Sequence, residues 1–331
     1  MGRTLADILD RQGDELDAAQ DAAAERVLRL YDDARRELRE RLDAMQASGL
    51  DVVTPWTAQQ VAGTLAQVET ALLARVGGDL DPAVRAEQER ALADLVATVE
   101  KGDKAHPGAL REVETAFALK LADPMLTRLQ TADVYASVRE LIVLAQRETA
   151  RGWAQKLTLP QLRDRLAARE GSVFAANRSL AEQAVRNTVS LAYNQAHLDG
   201  ILTARDTLDG PKGRPEDPLL KRADEYRDHR SHPVSPLLHH VAIPADAAFV
   251  VRAADISRKA AEMGRPMRTM TRDGRPSSMG MVWPRQGDVF VGQAHPAHRY
   301  ERGRITAWRR SWGTGGDRTV YVEAGQPVPY R

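Results

Sequence analysis

Apolar and small residues recur in steps of three and four from Leu5 to Met45, at Leu16, Ala19, Ala23, Val27, Leu30, Ala34, Leu38, Leu42 and Met45. These steps draw one stripe along a 3.6-residue helix, and no proline interrupts the run, so a long amphipathic helix is predicted. Leu16, Val27 and Leu38 fall eleven apart, a spacing that favours a straight or slightly right-handed seam. The stripe serves either as an ordinary bundle face or as an oligomerisation seam. Ser48-Gly49 ends this helix, and Thr54-Pro55 reads as an N-cap with proline in the first turn. Val61, Leu65, Val68 and Leu72 stripe the next helix, which is predicted to stop at Gly77-Gly78. Asp81-Pro82 opens another, through Val84, Leu92, Leu95 and Val99 to Gly102. His106-Pro107 starts a further one, Asp123-Pro124 breaks it, and Val134, Val138, Leu141, Ile142 and Ala145 carry the next towards Trp153.

Leu159-Pro160 opens a short helix that Gly171 ends, and a long one follows from Ser172 to about Leu208. Val173, Leu180, Ala184, Val185, Leu191, Ala192, Ala196, Ile201 and Leu202 form its apolar stripe. Asn187, Thr188, Tyr193 and Asn194 lie near that stripe. If buried, these polar groups need partners, and they are placed to bond the loops that follow; otherwise they face solvent. From Asp209 the texture changes, and Asp209–Pro218 is a loop by its glycines and prolines. Beyond it only Ala247–Arg252, Met279–Trp283, Asp288–Gly292 and Arg318–Glu323 look like strands, with one helix at Ala253–Met263. The expected fold is mainly α with a smaller α+β C-terminal domain. Residues 1–155 form a helical bundle domain, and residues 156–312 place a long helix on a small sheet and ordered loops. Residues 313–331 form an extended tail.

Composition narrows the chemistry. The 331 residues contain no cysteine, which excludes disulfides, thiolate metal sites and cysteine nucleophiles. Aromatics are only 5%, so Leu, Ala and Val must build the core, which suits helix packing. The first residues lack the apolar stretch of a secretory signal, and no run approaches a membrane span; a soluble protein made in a cytoplasm is expected. The net charge of +1 hides an asymmetry. Residues 1–150 carry 18 Lys and Arg against 27 Asp and Glu, a net −9, while residues 151–331 carry 29 against 19, a net +10. Opposite halves suggest different partners.

Two proline-fixed polar segments concentrate the candidate chemistry. Asp228–His240 and Gly292–Trp312 hold six of the eight histidines. His229, His232, His295 and His298, with Asp228 nearby, could hold a transition metal. His232 and His295 each precede a proline, which pushes them from helical geometry, and no HExxH arrangement occurs, so structural hydrogen bonding is the competing role. No P-loop, Gly-x-Ser-x-Gly or dinucleotide fingerprint is present. The second set is basic: Arg299, Arg302, Arg304, Arg309 and Arg310 alternate with Tyr300, Trp308 and Trp312. Guanidinium groups beside aromatic rings suit phosphate backbones or an acidic protein surface, and a solvated face has the same appearance.

The order of these segments carries a resemblance. A helix with NTVSLAYNQAHLDG is followed by DHRSHPVS, then a variable segment, then HPAHRYERGRI ahead of Trp308. Over roughly residues 170–312 this resembles the Mu F-like minor head proteins of tailed bacteriophages. On the family pattern Asn194, Asp228, Arg230, Ser231, Pro233, His295, Pro296 and Arg299 match. Ser235, His298 and Tyr300 stand where the family usually has cysteines, which favours holding loops over metal or disulfide chemistry. The resemblance implies a structural minor capsid or head morphogenesis protein, not an enzyme and without a cofactor. It would be assembled in the host cytoplasm and carried in the virion. Its implied partners are the portal protein, a major capsid or scaffold protein, and double-stranded DNA through Arg302, Arg304, Trp308, Arg309 and Arg310. Self-association through the N-terminal helix is a further expectation. Two other classes remain open: a metal-dependent nuclease or hydrolase using the histidines, and a non-specific DNA-binding module.

Overall fold

The computed structural model describes residues 4–103, 110–115, 118, 124–210, 216–224, 233–264, 288–290, 303–313 and 318–330. It is mainly helical, with a small mixed sheet in the C-terminal region. The first helix, α1, spans Leu5–Ala47, and its predicted stripe is buried within the chain: Leu16, Val27 and Leu38 are almost fully covered. That stripe is therefore spent on the chain's own core. Helix α2 runs unbroken over Pro55–Asp103, with Pro82 inside it. The predicted stop at Gly77-Gly78 and restart at Pro82 do not occur. Val76, Leu80 and Val84 are all buried on one face across the supposed break, so packing holds the helix through a weak local sequence. At Gly77 an added Cβ would lie 2.6 Å from Tyr135 Oη, so this glycine serves a close approach and not a helix end.

Helices α3 (Pro124–Ala154), α4 (Leu159–Ala167) and α5 (Val173–Leu208) follow. Thr158 caps α4 in a capping box with Gln161. The chain divides into two compact units that interleave along the sequence. One unites residues 1–17, 87–123 and 190–331, and the other residues 18–86 and 124–189. Long helices cause the interleaving, because α1, α2 and α5 each contribute to both.

The helical unit (residues 18–86 and 124–189) has a core of Leu38, Leu65, Leu72, Val138 and Leu141. Buried Tyr31 bonds Ser137 at 3.2 Å within it. The α1–α2 and α3–α4 connections meet as an isolated bridge between Val52 and Thr158, with Val53 N–H donating to the Leu157 carbonyl at 2.9 Å.

The mixed unit holds the strands β1 (Leu220–Asp224), β2 (Val241–Pro244), β3 (Val250–Arg252), β4 (Asp288–Phe290), β5 (Arg304–Trp308) and β6 (Val320–Tyr321). The helices α6 (Val234–Leu238) and α7 (Ala253–Glu262) and a 3-10 turn at Arg310–Trp312 complete it. Four strands form a sheet in the order β5-β1-β2-β6, and β3 pairs β4 separately. β1 is antiparallel to both neighbours, with Ala223 opposite Val241 and Ile305, and Asp224 opposite Arg304. Strands β1, β2 and β5 were not legible: LKRAD carries three charges in five residues, and RITAW lies inside the supposed surface segment. Their two-residue alternation explains the composition. Ala223, Val241, Ile243, Ile305 and Ala307 enter the main core, whereas Leu220, Ala242 and Trp308 form a small apolar cluster. Arg222, Thr306, Asp224 and Arg304 share the face of that cluster by register.

Candidate functional site

Helix α5 is covered almost all round at its middle, where Ser190, Tyr193, Asn194 and His197 are fully buried. Each buried polar group there requires a partner. Asn194 Nδ2 donates to the Ser190 carbonyl at 3.0 Å and to the Gly303 carbonyl at 3.2 Å, while Oδ1 accepts the Ile305 N–H at 2.8 Å. One amide thus bonds a donor within β5, an edge strand, and an acceptor on the residue just before it. Tyr193 Oη donates to Asp94 Oδ2 at 2.8 Å. Thr188, in the helical unit, donates to the Gln130 carbonyl at 3.1 Å. Of the polar groups expected to bond the loops that follow, Asn194 does so, whereas Tyr193 and Thr188 bond helices that precede α5 in the chain. Leu180 and Leu191, assigned to the apolar stripe, are instead exposed, because the covered arc runs through Ala181, Val185, Val189 and Ala192.

A charged network sits on one face of the sheet. Asp224 accepts Thr306 Oγ1 at 2.9 Å and pairs with Arg222 at 3.0 Å. Burial alone would raise its pKa, but the Arg222 and Arg304 guanidinium groups, with His240, outweigh that effect and hold the carboxyl down to about 2. Arg304 is itself buried and donates to the Leu9 carbonyl and to Gln12 Oε1. Gln12 in turn donates to the Asp94 carbonyl at 3.0 Å.

Next to this network lies a cavity of about 260 Å³, bordered by Asp10, Asp14, Asp224, Arg222, Arg304 and the paired rings of His239 and His240. Those rings stack at 3.8 Å, and His240 adopts φ 59°, a left-handed conformation costly for a residue other than glycine. It is held there by its backbone, which donates to the Ala223 carbonyl and accepts from Val320. Among the described residues no group of three or more His, Asp and Glu could hold a metal ion.

Arg309 is the second centre. It is fully buried, with Nε donating to Asp103 Oδ2 at 3.0 Å, one terminal nitrogen to Asp209 Oδ1 at 2.5 Å, and the other to the Asp217 carbonyl at 2.6 Å. Trp312 Nε1 donates to Asp103 Oδ1 at 2.8 Å, and Asp209 Oδ2 accepts the Leu219 N–H at 2.9 Å. The loop predicted over Asp209–Pro218 is thereby fastened at both ends; residues 211–215 are outside the described residues.

Of the five residues expected to form a nucleic-acid or partner surface, Arg304, Trp308 and Arg309 are buried. Arg310 is exposed and lies 4.2 Å from the centroid of the Tyr321 ring, and Arg302 lies outside the described residues. The buried three sit inside because the Leu9 carbonyl and the Gln12 amide oxygen meet Arg304, the Asp103 and Asp209 carboxylates meet Arg309, and a sheet face receives the Trp308 indole. Of the motif residues, Asn194 makes the bonds given above. Asp228, Arg230, Ser231, His295, His298 and Arg299, together with His229 and His232, lie outside the described residues. Sequence reasoning missed Asp103, Asp209, Arg222 and Asp224: the first two meet Arg309 from far along the chain, and Arg222 and Asp224, two residues apart, pair because alternation puts them on one face of a strand that was not predicted. No protein-family model, curated protein or solved structure matches this chain.

Proposed function

We propose that this chain is a structural minor head protein of a tailed bacteriophage, associating with the portal or the head interior during assembly. The observation that carries the reading is the Asn194 clasp. The resemblance depends on three motif segments in order, and Asn194 of the first bonds Gly303 and Ile305 at the end of the third. Two short motifs whose residues bond each other are better grounds for a resemblance than motifs scattered through a fold.

The chemistry of the mixed unit supports an assembly role. Its arginines Arg304 and Arg309 are satisfied by groups of the chain, so they fix β5 and the turn after it and are not presented to a ligand. This weakens the reading of a plain DNA-binding module acting through that segment. The four histidines of the metal-dependent hydrolase reading lie outside the described residues. The test is co-expression with a portal protein and a shell protein of the phage that encodes the chain. Association with either during purification supports the proposal, whereas a free chain in the presence of both, or metal-dependent turnover of nucleic acid, refutes it.

A further inference from the structure

The helical unit carries a concentration of arginine that the sequence-level charge count conceals. Its residues include 18 Lys and Arg against 17 Asp and Glu, close to neutral. Yet two cavities of about 370 and 480 Å³, both bordered by Asp32, Arg35 and Arg169, bring five arginines together. Arg35, Arg36 and Arg39 project from α1, Arg169 from the α4–α5 connection, and Arg178 from α5. Glu170 is the other acid at the rim.

The pairing is incomplete. Asp32 is shared by Arg35 at 3.7 Å and Arg178 at 3.5 Å, and Arg36 is bonded to Asp33 at 2.7 Å. Arg39 and Arg169 have no carboxylate partner among the described residues. Arg35 and Arg39 stand one helical turn apart, where like charges repel and destabilise a helix. The first turn of α5, through Phe174 and Ala175, borders the smaller cavity beside Arg35, Arg169 and Arg178, with Ser172 Oγ accepting the Ala175 N–H. The positive end of a 36-residue helix therefore adds to the same field. Tyr31 and Phe174, both almost fully buried, form the apolar side. Repelling cations, a helix N-terminus and a concave space are all relieved by one kind of occupant, an anion.

We infer that the arginine-lined cavities formed by α1, the α4–α5 connection and the start of α5 bind a ligand carrying adjacent phosphate groups. Five guanidinium groups exceed what one phosphate can neutralise, and arginine forks bond phosphate oxygens in pairs. The source of the phosphates is either a small polyphosphate or a nucleic-acid backbone, which share this chemistry. The site is separate from the residues that support the proposed function, so either can fail without the other.

The experiment is titration calorimetry of the full chain with tripolyphosphate and with a short DNA duplex, in low salt. The variants are Arg39→Gln with Arg169→Gln, and Arg85→Gln as a control, since Arg85 is exposed in the same unit and borders neither cavity. At least one probe should bind, and the double variant should weaken it tenfold or more while the control leaves it unchanged. Tighter binding of the duplex than of tripolyphosphate identifies the backbone as the source, and the reverse identifies the small ligand. Melting separates binding from folding: the double variant should melt no lower than the parent without ligand, and should lose the rise that the bound probe gives the parent. Absence of binding by both probes, or binding that the double variant retains, overturns the inference.

Discussion

Asn194 and Ile305 are joined across more than a hundred residues by a 2.8 Å hydrogen bond from the Ile305 N–H to the Asn194 Oδ1, while the same amide donates to the Gly303 carbonyl. Truncation leaves a buried N–H and a buried carbonyl without partners. Asn194→Ala should therefore lower unfolding stability by about 2–4 kcal/mol, several times the net worth of one satisfied bond. Asn194→Asp keeps the acceptor but turns a carboxylate oxygen towards the Gly303 carbonyl, so its loss should shrink as acid protonates it. Urea denaturation at two pH values measures both; a loss under about 0.5 kcal/mol for Asn194→Ala would place that amide outside the supporting framework.

Arg309 neutralises Asp103 and Asp209 where neither carboxylate can reach bulk water easily. Arg309→Met strands two buried anions, and a cost of about 3–5 kcal/mol is expected. The loss should be greater at pH 7 than at pH 5, because stranded carboxyls take up protons on acidification. A loss that is small and independent of pH would show that the pairs are solvated.

His197 gives the sign of the acid response. Burial, and then the nearby Arg304, push the imidazole from its ordinary value down to about 3. The folded state thus holds it neutral where the unfolded chain binds a proton below about pH 6.5. Stability should fall as pH drops from 6.5 towards 3, by up to about 1.4 kcal/mol per pH unit from this group. Asp224 adds a lower window: its depressed pKa contributes stability that is present above pH 4 and lost as pH falls through about 2. Denaturation midpoints for parent and His197→Leu should converge in slope above pH 6.5 and diverge below it. Parallel curves across pH 4–6.5 would contradict the burial of a neutral ring.

A Cβ at Gly102 would overlap the Trp312 indole, whose Nε1 is fixed by Asp103. Gly102→Ala raises helix propensity yet forces the ring aside, so a net loss of about 1–3 kcal/mol is expected. Near-ultraviolet circular dichroism should change with it. A stabilised variant with an unaltered tryptophan signal would refute the contact.

The helical architecture was readable because apolar steps of three and four persist over many turns, as in Leu38-Leu42 and Val61-Leu65-Val68-Leu72. Gly77-Gly78 does not end α2, because the covered face of Val76, Leu80 and Val84 outweighs the local helix breakers. The sheet was largely hidden. β1 puts Lys221 on its core face and Arg222 on the other, where Asp224, two residues on, and the distant Thr319 meet Arg222. For the same reason Arg304 and Arg309 looked like surface cations; their acceptors at Leu9, Asp103 and Asp209 share no motif with them. Asn194 was the exception, since a polar group inside an apolar helical stripe already asks for a partner.

The most direct test of the proposed assembly role is quantitative mass spectrometry of purified phage heads made with this chain present. The account predicts that the chain is found in the heads at a fixed low copy number relative to the shell protein. It also predicts that an Asn194→Asp chain is depleted from heads in proportion to its loss of folded material. Heads that contain no trace of a chain that is folded and abundant in the same cells would contradict the account.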